Sequence, residues 1–302
     1  MADADIILPT EPQSELPAIR TIRPTDLRYA LAKGLEDFWA MPTHVVFLGL
    51  IYPVVGLVLG RATFGYDVVP ILFPLTDGFA LIGPFASIGL YELSRRREMG
   101  LDTSWKHAFD IVHSRSLWAI VTLGLLLLII FGVWIAVAQA IYVENFPDQE
   151  PTTLATLATF AGKVLTTPQG HNLIIVGNAV GFLFAVLAFS VSVVSFPLLL
   201  DRNVGTAVAI ATSVRAIYRN PLTMGLWGLI VAFCLVIGSL PFFFGLAVAM
   251  PVLGHSTWHL YRKLVEPDLG PRPEFRPQRR GRRYAADFPV SLFVPSSRED
   301  RP

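Results

Sequence analysis

Long apolar runs alternate with short charged loops along most of the chain, and each run reaches or approaches the length that a membrane crossing needs. A transmembrane helix takes about 20 predominantly apolar residues. The pattern predicts six such helices, at 44–64, 69–93, 117–142, 173–200, 222–240 and 242–260. The last two are separated only by a turn at Pro241, so they are expected to form a tight hairpin. The fold class predicted is therefore an all-α polytopic membrane protein.

Basic residues are distributed very unevenly over the loops between these runs. All but Arg61 and Lys163 of the 24 Lys and Arg residues fall on the side that carries both termini. Because basic residues accumulate on the cytoplasmic side of membrane helices, both termini are expected to be cytoplasmic. Residues 1–43 contain no apolar core of a secretory signal, so the first helix is expected to be retained as an anchor. The net charge of +1 conceals this asymmetry.

The order of elements predicts one unit used three times. Each unit would comprise an amphipathic cytoplasmic helix, a breaker, an outgoing span and a returning span that contains Pro84, Pro197 or Pro251. Membrane helices tolerate such prolines where neighbours satisfy the freed carbonyl. The predicted divisions are a flexible tail at 1–23, a membrane domain at 24–266 with repeats at about 24–97, 102–202 and 204–264, and a Pro- and Arg-rich extended tail at 267–302.

Each amphipathic helix has an apolar stripe and a charged face. The stripe residues are Leu27, Leu31, Leu35, Phe38 and Trp39 in the first helix, Trp105, Phe109 and Val112 in the second, and Ala207, Ile210, Ala211, Val214 and Ile217 in the third. This pattern is typical of helices that lie in the headgroup region of a bilayer.

Three stretches combine small, aromatic and charged residues in an order that hydropathy alone would not dictate. They are Gly83-Pro84-Phe85 through Gly89 to Arg96, Pro197 to Arg202, and Gly254 to Arg262. In these stretches the chain resembles the DUF2189 family, over residues 20–266. The resemblance implies a bacterial inner-membrane protein without an established activity. Some members look to be labelled as oxidase-related, but the chain lacks the several spaced histidines of a haem-copper core, so that label is not carried over.

Two histidines of the last span are the sharpest candidates for chemistry. His255 and His259 are four residues apart on one helical face, a spacing that can hold a metal. No acid lies between them, so the metalloprotease pattern is absent. Because Arg262 follows closely, imidazole and the ring of Trp258 fit as interfacial anchors. An interfacial or interhelical hydrogen-bonding role is favoured over metal or haem ligation, and no cofactor is predicted.

Two acids lie within or at the end of a predicted span. Asp77 and Glu92 are therefore candidates for a proton or solute pathway, because charge in lipid is costly. The alternative for Glu92 is pairing with the basic residues 95–97, and the alternative for Asp77 is solvation near the outer surface.

Basic residues on the cytoplasmic side are candidates for binding lipid or a partner protein. They are Arg202, Arg215 and Arg219, and, in the tail, Arg279, Arg280, Arg282 and Arg283. Anionic headgroups are a commoner partner than nucleic acid for such runs, at about 1 kcal/mol per basic residue. Phe288 and Phe293 are too apolar for a purely solvated end, so the tail is expected to dock on a partner.

No catalytic set accompanies these features, so a non-enzymatic role is predicted. The favoured function is an accessory subunit or assembly factor of a larger membrane complex, such as a respiratory or photosynthetic one. The alternative is a small solute transporter or channel in which proline-broken spans surround a path. Polar groups near the midplane of the spans are few, namely Thr122, Asn178, Ser190, Ser192 and Ser195.

Overall fold

The computed structural model describes residues 4–7, 16–41, 87–114, 116–147, 157–240, 245–267 and 274–277. The described elements are β1 (Ala4–Ile7), α1 (Pro24–Ala40), α2 (Ile88–Glu98), the 3₁₀ helix η1 (Trp105–His113), α3 (Leu117–Asn145), α4 (Leu157–Thr166), α5 (Pro168–Ser192), α6 (Ser195–Asp201), α7 (Thr206–Arg219), α8 (Pro221–Ser239), α9 (Leu246–Leu264) and β2 (Glu274–Pro277). The predicted first span and most of the second lie outside these residues.

Three helices in the described part of the chain are long and apolar enough to cross a membrane. They are Leu117–Asn145, the kinked helix Pro168–Asp201 and Pro221–Ser239. These correspond to the predicted third, fourth and fifth spans. α9 overlaps the predicted sixth span, 242–260, and is a helix of 19 residues that does not reach the same apolarity. A six-span arrangement and its threefold repeat stay predictions.

Prolines and polar caps explain where several helices begin and end. Pro24 starts α1, and the Asp26 carboxylate accepts the backbone N–H of Arg23 at 2.9 Å. Met41 precedes a proline and adopts an extended conformation, which ends α1 because residues before proline disfavour the α region. The hydroxyl of Thr167 caps α5 by accepting the N–H of Gly170 at 3.0 Å.

The long helix Pro168–Asp201 is kinked near Pro197. A turn at Val193 and Val194 separates α5 from α6, and Pro197 has no N–H to continue the α-helical ladder. The hydroxyl of Ser213, on α7, accepts the backbone N–H of Val194 at 3.2 Å, so a neighbouring helix satisfies a group that the kink frees. In contrast, α9 continues through Pro251.

Each returning helix packs against an amphipathic or 3₁₀ helix that belongs to a different predicted unit. α2 packs on η1, α6 packs on α7, and α9 packs on α1. The helices α2, α6 and α9 also contact one another, and their side chains form much of the buried core, including Phe196, Leu198, Trp258 and Leu260. Among the described helices, the first thus docks on the last.

Small residues allow α1 to approach α9 closely. A Cβ atom added at Gly34 would lie 2.0 Å from Ser256 Oγ and 2.6 Å from the Ser256 backbone nitrogen. The buried residues of α1 include Leu27, Ala30 and Gly34, whereas Leu35 is 44% exposed and Trp39 is 77% exposed. The large apolar residues of α1 are therefore divided between the protein core and the outer surface.

The segments that flank α1 and α9 are also tied together. The backbone N–H of Arg20 donates to the carbonyl of Leu264 at 2.7 Å, and the N–H of Glu266 donates to the carbonyl of Ala18 at 3.1 Å. Farther out, β1 and β2 form a short antiparallel pair, in which Ala4 lies opposite Pro277. The described segments before α1 and after α9 therefore lie side by side.

Candidate functional site

A buried carboxylate on α1 joins three helices. Asp37 is 4% exposed, and its Oδ2 accepts hydrogen bonds from Ser94 Oγ at 2.6 Å and from His259 Nε2 at 2.8 Å. Its Oδ1 accepts a charged hydrogen bond from Arg97 Nη1 at 2.5 Å. Together with His255, these residues are called the Asp37 hub below. The hub connects α1 to α2 and α9 through side chains alone.

Ser94 connects Asp37 to the second histidine of the hub, His255. Its Oγ lies 2.7 Å from His255 Nδ1. Because the single hydroxyl proton of Ser94 is given to Asp37, the Nδ1–H of His255 donates to the Ser94 oxygen. The hub is therefore a directed chain from His255 through Ser94 to Asp37.

Two opposing effects set the charge of Asp37. Burial is the largest single effect and raises the pKa of its carboxyl, but the hydrogen bonds from His259 and Ser94 and the electrostatic attraction of His259 and His255 together outweigh it, so the net pKa lies below the ordinary one. Asp37 is thus ionised at neutral pH. Its negative charge is balanced by the Arg97 guanidinium, whose side chain is 35% exposed.

The residue types of the hub are those of a serine hydrolase, but their order is different. In a catalytic triad the imidazole stands between the hydroxyl and the carboxylate and takes the hydroxyl proton. Here Ser94 stands between Asp37 and His255 and donates to the carboxylate. Ser94 is also only 1% exposed. The arrangement therefore fits a hydrogen-bonded lock between helices and does not activate Ser94 as a nucleophile.

Arg95 and Arg96, in the last turn of α2, belong to a second buried group of charged side chains. Arg95 Nη2 lies 2.7 Å from Glu92 Oε2, and Arg95 also donates to the carbonyl of Leu200 on α6. Arg96 is 1% exposed, and its Nε donates to the carbonyl of Asp102 at 2.7 Å. The basic run therefore fastens α2 to α6 and to the segment that leads into η1.

His107 of η1 lies between two acids in the same region. Its Nδ1 is 2.6 Å from Asp110 Oδ2, and its Nε2 is 3.0 Å from Asp102 Oδ2. The Asp110 carboxylate also lies 3.4 Å from Arg96 Nη1. These contacts position η1 against α2, so the histidine is part of the packing between the two helices.

A third polar group joins the ends of α2, α6 and α9. The hydroxyl of Tyr261 donates to Asp201 Oδ2 at 2.6 Å, and the same carboxylate lies 3.6 Å from Arg262 Nη1. Glu98 accepts from Arg262 Nε and from Trp258 Nε1, both at 3.1 Å. Trp258 does not face lipid as an interfacial anchor would, because its ring is fully buried in the protein and its N–H is bonded to Glu98.

The structure brings several of the predicted residues together and separates others. His255 and His259 belong to the Asp37 hub, and Glu92 pairs with Arg95. Arg202 is 9% exposed and donates to the carbonyl of Glu266, whereas Arg215 and Arg219 are exposed on α7. The other predicted residues lie outside the described residues, namely Asp77, Arg279, Arg280, Arg282, Arg283, Phe288 and Phe293.

The described residues contain no group of three His, Cys, Asp or Glu side chains that could hold a metal ion. His255 and His259, although on one helix, are bonded to different atoms of the hub: His255 to Ser94, and His259 to Asp37. The hub therefore uses its two imidazoles as hydrogen-bond donors.

Sequence reasoning missed Asp37 and Ser94, the two central residues of the hub. Asp37 stands ten residues after Leu27 on the protein-facing side of α1, in line with Ala30 and Gly34. An acid on the small-residue face of an amphipathic helix is the signal that could have identified it. Ser94 carries no comparable signal, because its role depends on partners 57 and 161 residues away.

Residues 72–201 match the model of a family described as predicted integral membrane protein (DUF2189). The match confirms the resemblance over this part of the chain and includes α2, α3, α5 and α6. The stretch from Gly254 to Arg262, with both hub histidines, lies beyond the matched residues. No curated protein and no solved structure matches the chain. The match and the three apolar helices together identify an integral membrane protein.

Proposed function

We propose that the chain is a non-enzymatic accessory subunit or assembly factor of a larger membrane complex. The observation that carries the proposal is the contrast between inward-facing charges and outward-facing apolar residues. Glu92 and Arg95 of α2 pair inside the protein, and His259 of α9 bonds to the buried Asp37, whereas the most apolar stretches of α3 and α8 are only 22% and 17% buried. The surface available to other molecules in the membrane plane is therefore broad and apolar.

The apolar helices α3, α5 and α8 carry few side chains that could bind a transported ion. Glu144, in the last turn of α3, is the only Asp, Glu, Lys or Arg in α3, α5 and α8. The polar side chains Thr122 and Asn178 bond to carbonyls of their own helices, at 2.8 and 2.7 Å. Membrane pathways for ions and protons are usually marked by ionisable residues at depth. Contacts with other apolar surfaces are the better-supported use of these helices.

Site-specific photocrosslinking tests the proposal. Phe182 of α5 is 66% exposed and Phe233 of α8 is 67% exposed, whereas Phe184 packs on Trp134 with ring centroids 5.5 Å apart. A benzophenone amino acid at 182 or 233 should give one discrete protein adduct in native membranes. The same probe at 184, two residues from 182, serves as the matched control. If positions 182 and 233 capture only lipid, the subunit proposal is wrong.

A transporter is the second candidate, because the Asp37 hub is a buried chain of protonatable groups. Such chains of Asp and His form proton relays in some membrane proteins. Purified protein in vesicles with an imposed pH difference distinguishes the two functions. The subunit proposal expects no proton flux above that of protein-free vesicles. A flux that is lost in the Asp37→Asn variant would favour the transporter instead.

A further inference from the structure

We propose that the segment before α1 and the junction of α7 with α8 form one binding site for the phosphate group of an acidic phospholipid. The basic side chains of this junction site are Arg23, which directly precedes α1, and Arg215 and Arg219, which lie on α7. All three side chains are exposed. The sequence predicted lipid or partner binding for Arg215 and Arg219 alone, and the structure adds Arg23 from the opposite end of the membrane domain.

Three hydrogen bonds hold the two parts of the junction site together. The side chain of Asn220, between α7 and α8, accepts the N–H of Ile22 at 2.8 Å and donates to the carbonyl two residues earlier at 3.0 Å. The hydroxyl of Thr223, in the first turn of α8, donates to the carbonyl of Ile22 at 3.3 Å. Arg23 and Arg219 are the immediate chain neighbours of the bonded residues, so both side chains extend from this contact.

The length of α8 places this contact at a boundary of the membrane. α8 has 19 residues, and at roughly 1.5 Å per residue it spans about 28 Å, close to the roughly 30 Å of the hydrocarbon core. A helix of this length crosses the core only if both of its ends lie at the boundaries. The first turn of α8 therefore lies at the level of the headgroups, together with Arg219 and the bonded segment before α1.

The junction site carries an excess of positive charge. Two acids next to it already face basic residues, since Asp26 lies 3.8 Å from Lys263 and Glu266 lies 3.9 Å from Arg20. Within the described part of the chain, the three arginines of the site form no ion pair. A phosphate group fits this excess, because a guanidinium group donates paired N–H bonds to phosphate oxygens.

Exposed apolar side chains beside the arginines favour a lipid over a soluble phosphate. Leu222, in the first turn of α8, is 89% exposed, and Leu226, one turn deeper, is 41% exposed. The acyl chains of a phospholipid cover these leucines while its phosphate meets the arginines at the headgroup level. A soluble phosphate would leave the leucines uncovered. The ligand that matches both the charge and the apolar surface is therefore an acidic phospholipid.

Native mass spectrometry of the full chain tests the junction site. The protein, purified in mild detergent, is mixed with equal amounts of phosphatidylglycerol and phosphatidylcholine, and the bound lipids are counted. The wild-type protein should prefer phosphatidylglycerol by at least about tenfold, because each basic residue contributes about fivefold. Arg23→Gln and Arg219→Gln should each lower this preference about fivefold. Equal binding of the two lipids by the wild-type protein would overturn the site.

Two further variants separate the site from general surface charge and from misfolding. Lys106 is exposed on η1, which packs on α2 and α3, so Lys106→Gln removes one positive charge elsewhere. Its preference should stay within about twofold of wild type. Arg219→Lys keeps the charge and should retain more of the preference than Arg219→Gln. Equal losses in Lys106→Gln and Arg219→Gln would overturn the site.

Inorganic phosphate distinguishes the two sources of a phosphate group. Added at the same concentration as phosphatidylglycerol, it should leave the bound lipid in place, because it makes no contact with Leu222 or Leu226. Displacement of the lipid by inorganic phosphate would show that the arginines bind free phosphate, and the lipid site would then be wrong.

Discussion

The outer helix α3 and the Asp37 hub place polar and apolar groups in opposite positions. Along α3, leucines and isoleucines such as Leu128 and Ile129 are more than half exposed. In the hub, the Asp37 carboxylate and the His255 imidazole are buried, the His259 imidazole is partly buried, and Ser94 joins Asp37 to His255. Apolar side chains gain little free energy from burial in the protein when lipid surrounds them, whereas polar groups must find hydrogen-bond partners within the protein. Hydrogen bonds between side chains, more than hydrophobic burial, therefore define how α1, α2 and α9 are arranged.

The largest expected effect comes from removing the centre of the hub. Asp37→Ala should destabilise the protein by about 3 kcal/mol, because Arg97 and His259 lose the carboxylate that pairs with them. Unfolding by dodecyl sulfate, followed by circular dichroism, measures the loss. The adjacent Glu36 pairs with Lys33 on the surface, so Glu36→Ala is the matched control and should differ little from wild type. Equal effects at 36 and 37 would show that the hub adds nothing.

A smaller effect is expected where the two helices of the hub touch. Gly34→Ala should cost about 1–3 kcal/mol, because its methyl group would displace the backbone of Ser256. The matched control is Gly132→Ala on α3, where a Cβ would meet nothing within 4 Å and where alanine favours the helix. The same unfolding assay compares the two. A neutral Gly34→Ala would mean that α1 does not approach α9 as closely as the structure shows.

Two leucines of α3 compare the inner and outer faces of one helix. Leu123 is fully buried and Leu128 is 52% exposed. Leu123→Ala should cost about 1–2 kcal/mol, less than in a water-soluble core, because the lost packing is not accompanied by transfer to water. Leu128→Ala should be nearly neutral in lipid bicelles. A larger loss at Leu128, measured in native membranes, would place that residue against a partner protein.

The smallest effect is expected from acidification. Because the pKa of Asp37 is lower in the folded state, its stabilising contribution is present above the ordinary carboxyl value and is lost as pH falls through the folded value. The stability difference between wild type and Asp37→Asn should therefore shrink below about pH 4. Unfolding midpoints of both proteins at pH 7 and at successively lower pH give this difference. A difference that grows on acidification would contradict an ionised Asp37.

Hydropathy predicted α3, α5 and α8 well, because each is an apolar run interrupted by few polar residues. It predicted the inner face of α1 less well, since that face contains Ala30, Gly34 and Asp37, and an apolar stripe draws attention to the larger Leu35 and Trp39. The same holds for α7, whose buried residues are Ala209, Thr212, Ser213 and Ala216. Helices that approach closely need small residues, which contribute little to any hydropathy pattern.

The histidines of the hub could be nominated from their spacing, but their partners could not. Asp37 and His259 are 222 residues apart, and no local pattern relates them. The burial of Trp258 was missed for the same reason, because Glu98, which accepts its N–H, lies 160 residues earlier. The position of Trp258 close to Arg262 did not predict contact with the membrane interface, because Arg262 itself bonds to Glu98 of the protein.

The docking of α1 on α9 has a consequence for the order in which the protein is made. α1 leaves the ribosome before α9, which carries the residues that receive it, Ser256 and His259 among them. Until then Asp37 lacks His259, and Ser94 lacks His255. The hub is completed only in a chain that has been extended through α9, so α1 waits for its partners until α9 has been synthesised.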